Sequence, residues 1–83
     1  MVDLKAVARF IVEGLVKDGS RVEVEEEPGE DGRVKVLVRV SPEDVGRVIG
    51  KKGKTIDAIR TVMRAAGAKA GLRVDFDVEE MEG

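Results

Sequence analysis

Leu4, Val7, Ala8, Ile11, Val12 and Leu15 fall three and four residues apart along the chain, the pattern of one apolar helix face. Asp3 stands where a cap belongs, and Gly19 supplies a stop. From residue 21 the period shortens to two, with Val22 and Val24 alternating against Arg21, Glu23 and Glu25, which predicts a strand. Pro28-Gly29-Glu30-Asp31-Gly32 is a turn cluster. Beyond it Val34, Val36, Val38 and Val40 alternate again, with Leu37 on the opposite face. So short a connection predicts an antiparallel pair.

Ser41-Pro42-Glu43-Asp44 reads as a helix start, with Ser41 as cap, proline in the first turn and an acid three residues past the cap. Gly46 and Gly50 keep that helix short. A further helix begins near Lys54 or Thr55, with Ile56, Ile59, Val62, Met63 and Ala66 on one face and Lys54, Asp57, Thr61 and Arg64 turned outward. It ends within Gly67-Ala68-Lys69-Ala70-Gly71. Leu72, Val74, Phe76 and Val78 then alternate with charged residues as a last strand, and residues 79–83 are expected to be a frayed acidic tail.

The predicted order is α-β-β-α-α-β, an α+β fold in one domain over residues 1–78. The second and third strands, joined through two helices, are expected to lie parallel and adjacent, with the first strand antiparallel on the other edge. Each strand has one apolar side, so all three helices should cover one face of a three-stranded mixed sheet.

Composition narrows the chemistry. The 83 residues include no His, Cys, Trp, Tyr, Asn or Gln. Thiol, imidazole and zinc chemistry are therefore excluded, no metal or cofactor is expected, and the hydroxyls of Ser20, Ser41, Thr55 and Thr61 lack the usual activating base. A catalytic residue is not expected. No apolar run is long enough to cross a bilayer and the start shows no leader pattern, so the expectation is a soluble, cytoplasmic protein.

The formal charge of −2 conceals an asymmetry. Residues 46–73 carry Arg47, Lys51, Lys52, Lys54, Arg60, Arg64, Lys69 and Arg73 against Asp57 alone, while the flanking segments are acidic. A polyanion would find one attractive stretch, because screening makes the local field matter more than the net charge.

That stretch contains Ile49-Gly50-Lys51-Lys52-Gly53-Lys54-Thr55 between two helices. Two glycines three apart let the backbone turn sharply and approach a ligand, and the helix that follows points its amides and positive dipole end into the turn. With three lysines added, this is a phosphate cradle. Gly53-Lys54-Thr55 also imitates the end of a nucleotide-binding P-loop, but Val48 stands where that motif needs glycine and no strand precedes it.

Ile-Gly-Lys-Lys-Gly between two helices of a β-α-α-β segment resembles the GXXG signature of K-homology (KH) RNA-binding domains, and the leading helix and strand resemble their type II arrangement. Gly46 through Arg64 and Ala66 through Val78 are similar to the small stand-alone bacterial KH proteins of the KhpA family. The resemblance implies an RNA-binding protein that clamps about four single-stranded nucleotides by their backbone. Gly50 and Gly53 would permit the approach, Lys51 and Lys52 would meet phosphates, and Ile49 would floor a groove for bases. Arg47, Lys54, Arg60 and Arg64 would flank it, with Lys69 and Arg73 closing the other side. The family further implies dimers, with itself or with a larger Jag-type KH protein, and roles in RNA metabolism, cell shape and division.

Base stacking is not expected, because the only aromatics are Phe10 and Phe76 and the latter falls on the core side of its strand. Without Asn or Gln, sequence selectivity should be weak. The competing reading is a protein-interaction module that keeps the fold and works mainly through dimerisation. Phe10 supports it, lying about 140° from the centre of the first helix's apolar stripe at 100° per residue, beside Ala6 and Gly14.

Overall fold

A computed structural model describes residues 3–82. Helix α1 spans Leu4–Glu13, and the Asp3 carboxylate accepts from the Ala6 amide at 3.1 Å to cap it. Leu4, Ala8 and Val12 are buried, with Val7 and Ile11 beside them. The helix stops at Gly14 and not at Gly19. The Leu15 and Val16 amides both bond back to the Val12 carbonyl, and the tightened turn rotates Leu15 outward while Val16 packs against the core in its place. Gly14 therefore ends α1 as its C-cap.

Strands β1 (Val22–Pro28) and β2 (Arg33–Val40) pair antiparallel from Val22 opposite Val40 to Pro28 opposite Val34. At their turn Asp31 and Gly32 both have positive φ and the Arg33 amide bonds the Glu30 carbonyl, as a two-residue hairpin turn requires. Helix α2 (Pro42–Ile49), one 3-10 turn (Lys51–Gly53) and α3 (Lys54–Ala68) lead into β3 (Arg73–Glu80), which pairs parallel with β2. The order is β1-β2-β3, the predicted mixed sheet.

Val22, Val24, Val34, Val36, Val38, Val40, Val74 and Phe76 point into one core beneath the three helices. The opposite face carries Leu37 among charged side chains, and among the described residues no helix covers it. Two further expectations fail. Val62 is 48% exposed, because the buried stripe of α3 runs through Ile56, Ile59, Met63 and Gly67, one residue round from it. Gly67 is needed there because a Cβ would collide with Val74 Cγ2. Glu79 and Glu80, expected in a frayed tail, continue β3 beside Arg39 and Val40, and the Met81 amide bonds the Val40 carbonyl at 2.8 Å. The full length of β2 offers them backbone partners; Gly83 lies outside the described residues.

Asp44 joins the two halves. Ser41 is the N-cap of α2, yet its hydroxyl does not cap the backbone; it donates to Asp44 Oδ2 at 3.0 Å. The buried Asp44 carboxylate also accepts from the Lys17 amide at 3.0 Å and the Asp18 amide at 3.4 Å, and Arg47 Nε lies 3.0 Å away. The Lys17 amide, then Ser41, Asp18 and Arg47, hold the carboxyl below its ordinary value of 3.8 against the opposing effect of burial. A lowered folded-state pKa contributes stability that is present above the unfolded value and lost as pH falls through the folded one. Asp44→Ala should lower the melting temperature by several degrees at neutral pH, with the deficit against the unaltered chain shrinking below about pH 4. Melting curves across pH check this; a deficit that does not change with acidification would contradict it.

Candidate nucleic-acid interface

The α2–α3 corner is built around Gly50. Its φ of 76° and ψ of 175° fall in a region essentially reserved for glycine. A Cβ there would overlap the Thr55 hydroxyl and sit 2.5 Å from Thr55 Cβ and 2.9 Å from its amide nitrogen. Gly50 thus lets the end of α2 press directly on the first turn of α3. Lys51 and Lys52 follow in the 3-10 turn, and Lys52 is left-handed at φ 57°, ψ 25°, one of two non-glycine residues with positive φ among the described residues. A lysine pays about 1–2 kcal/mol for that conformation. Gly53, at φ 74° and ψ 12°, closes the turn with open space where its Cβ would be, and its amide bonds the Gly50 carbonyl at 3.2 Å.

No side chain caps α3, so its positive end faces the turn. Lys51, Lys52 and Lys54 are exposed and join no ion pair among the described residues. Ile49, the last residue of α2, is 37% exposed at the entrance. Three ammonium groups, a helix dipole and an apolar residue therefore meet at one bend.

The flanking arginines are placed differently. Arg47 lies against Asp44. Arg60 is held by protein partners: Nε donates to the Phe76 carbonyl at 3.0 Å, Nη1 meets Asp57 at 3.1 Å and Nη2 approaches Asp77 at 3.7 Å, fastening α3 to β3. Arg64 sits farther along α3, beside Arg33, Leu72 and Arg73. Lys69 is exposed in the α3–β3 connection. Two residues escaped the sequence reading. Asp44 stood there only as the acid three residues past the Ser41 cap, and Arg33, whose neighbours only the sheet register reveals, was not singled out.

The family model described as KhpA/KhpB, KH domain matches residues 5–78. The chain belongs to this KH-domain family. Among the relatives of the KhpA/KhpB domain, a Clostridium perfringens protein named RNA-binding protein KhpA is 40% identical over 75 residues, covering 90% of this chain and 99% of that protein. Proteins of the same name from Aquifex aeolicus (38% over 77 residues, 93% and 96% covered) and Streptomyces coelicolor (40% over 79 residues, 94% and 98% covered) are similar throughout. The chain is a KH-domain protein, not an enzyme. The fold is also that of a part of Aquifex aeolicus Era bound to GDP.AlF4-, with a TM-score of 0.64 at 20% identity, covering 94% of this chain and 30% of Era. A second Era structure, with MgGDPNP and a segment of 16S ribosomal RNA, gives 0.61 at 20% identity, covering 93% and 29%.

The two loop glycines should respond unequally to a methyl group. Gly53→Ala introduces only left-handed strain, about 1–2 kcal/mol. Gly50→Ala adds overlap with Thr55 and should cost about 3 kcal/mol or more. Urea unfolding of the two variants checks the order; equal losses would contradict the close approach of Gly50 to α3.

Proposed function

We propose that this chain binds single-stranded RNA by clamping its phosphate backbone at the Gly50-Lys51-Lys52-Gly53 turn. The carrying observation is that turn itself, where unpaired ammonium groups and an uncapped helix end converge beside exposed Ile49. The relatives named RNA-binding proteins support the same reading. Gly50 and Gly53 bring the strand close, Lys51, Lys52 and Lys54 neutralise phosphates, and Ile49 floors the bases. Arg47, Arg60 and Arg64 contribute field from the sides. Phe76 is buried and Phe10 lies on α1, so no aromatic platform stands at the turn, and selectivity among sequences is low. The role is general association with RNA in the cytoplasm, as a chaperone or post-transcriptional regulator. Among the described residues no helix is long and apolar enough to cross a membrane.

One observation favours pairing as well. Phe10 is 82% exposed on α1, and Val62 is exposed on the neighbouring α3. An aromatic exposed in this way suits a second KH chain, either another copy or a larger Jag-type protein, and two grooves held together raise the effective concentration at the second.

Lys51→Asp with Lys52→Asp should leave circular dichroism and melting essentially unchanged while abolishing RNA binding in a filter titration. For the unaltered chain, three or four phosphate contacts at about 0.7 each give a slope of log affinity on log salt of about −2 to −3. Undiminished affinity in the folded double variant, or equal binding of duplex, would overturn the loop reading. In sedimentation equilibrium at tens of micromolar the chain should be dimeric and Phe10→Glu monomeric, at nearly the same melting temperature; a monomeric unaltered chain would refute self-association.

A further inference from the structure

The outer edge of β1 has no neighbouring strand among the described residues. In an antiparallel ladder, facing residues alternate between pairs that exchange hydrogen bonds and pairs that do not. The Gly29 amide bonds the Arg33 carbonyl at 2.7 Å, so in the same register the bonded pairs fall at Glu23, Glu25 and Glu27. The backbone groups of Val22, Val24, Glu26 and Pro28 therefore point away from β2 and off the sheet. Two contacts fix the same parity: the Val40 carbonyl, opposite Val22, accepts from the Met81 amide on its β3 side, and the Val22 carbonyl accepts from Arg9 Nη1 at 3.1 Å.

Arg9 closes the Val22 end of this edge. Beyond it, nothing among the described residues bonds the outward N–H and C=O groups of Val24 and Glu26 or the Pro28 carbonyl, although Val24 is only 8% exposed. The other edge of the sheet is treated differently, with Arg60 Nε on the Phe76 carbonyl. A row of donors and acceptors at strand spacing is satisfied by one kind of ligand, an added strand.

The side chains select which strand. Glu23, Glu25 and Glu27 stand on the open face, and Glu26, in step with Val22 and Val24 on the helix side, is exposed. Arg39 bridges Glu25, on which the Lys5 charge also acts; Glu23, Glu26 and Glu27 join no ion pair among the described residues. A second copy is the wrong occupant, because β1 against β1 sets Glu23, Glu25 and Glu27 opposite one another, and like charges directly opposite destabilise a sheet. Glu26 on the inner side and Pro28 guard against that pairing. A segment with Lys or Arg at every second position meets the same edge with opposite charge.

We propose that the β1 edge from Val24 to Pro28 takes an extended basic segment of another protein as a fourth, antiparallel strand. Its main chain bonds Val24 and Glu26, and its alternate Lys or Arg side chains face Glu23, Glu25 and Glu27 on the open face. The engaged stretch is short, so charge contributes much of the affinity and salt weakens it. This site does not rest on the RNA reading, and β1 lies at the sheet edge opposite β3, which leaves the glycine turn free.

The test uses a capped peptide of about seven residues alternating Lys and Thr, in three forms: unmodified, N-methylated at the threonines and N-methylated at the lysines. In the added strand the threonine amides face β1 and the lysine amides face away. Threonine methylation should therefore abolish binding while lysine methylation is tolerated. The unmodified peptide should also slow hydrogen exchange at the Val24 and Glu26 amides by about tenfold or more, leaving residues 51–55 unchanged. Glu26→Pro removes an outward N–H without touching the β2 ladder, so it should lose the peptide and keep its melting temperature and RNA binding. Lys51→Asp/Lys52→Asp should bind the peptide as the unaltered chain does, which separates a failure here from a failure of the RNA reading. Binding that ignores which amides are methylated would reduce the contact to charge alone and overturn strand addition, whatever the fate of the proline variant. Absence of binding, or protection at the glycine turn in place of Val24 and Glu26, would overturn it too. So would a Glu26→Pro chain that loses self-association, since the edge would then belong to a second copy.

Discussion

The approach of the Gly50 backbone to Thr55 is the contact on which the rest of the site depends. It requires a residue without a Cβ, in a conformation that only glycine adopts readily. With α2 ending against the first turn of α3, the two lysines between the glycines stand exposed, Lys52 in the left-handed region. Charge, dipole and exposed backbone are thereby concentrated on one convex bend. The energy stored in Lys52 is sustained elsewhere, by the valine-rich core and by Asp44, which ties the α1–β1 connection to the start of α2.

The sheet divides the molecule into unlike surfaces. One face is covered by three helices, and the hollows among the described residues lie at the surface, on edges and loops. The other face is a charged ladder whose two ends differ in sign. Glu25, Arg39 and Glu79 neutralise one another at one end; being at the surface, these pairs add little stability, but they leave that end acidic. Arg33 and Arg73 stand unopposed at the other. The open face thus differs in charge between its two ends.

Most of the fold was legible because its periods are clean. Val34, Val36, Val38 and Val40, and later Val74 and Phe76, alternate without ambiguity, and Asp31-Gly32 marks the hairpin turn. The errors came where position depends on tertiary contact. Leu15 lies on the right side of a helix that has already ended at Gly14. Val62 is one residue from Met63, and only the packing of Gly67 against Val74 determines which of the two is buried. Glu79 and Glu80 look like tail until β2 offers them a partner. At the site, the glycines and lysines were readable from spacing, whereas the engagement of Arg47 with Asp44 and of Arg60 with the Phe76 carbonyl was not, since those partners are set by how helices dock. The meeting of Arg33, Arg64 and Arg73 needed the parallel register.

The most direct examination of the account is an amide NMR titration of the unaltered chain with a short single-stranded RNA. The largest shifts should fall on Gly50, Lys51, Lys52, Gly53, Lys54 and Thr55, with α1 unaffected at constant protein concentration. Shifts confined to α1 around Phe10, with the amides of the glycine turn unmoved, would contradict it.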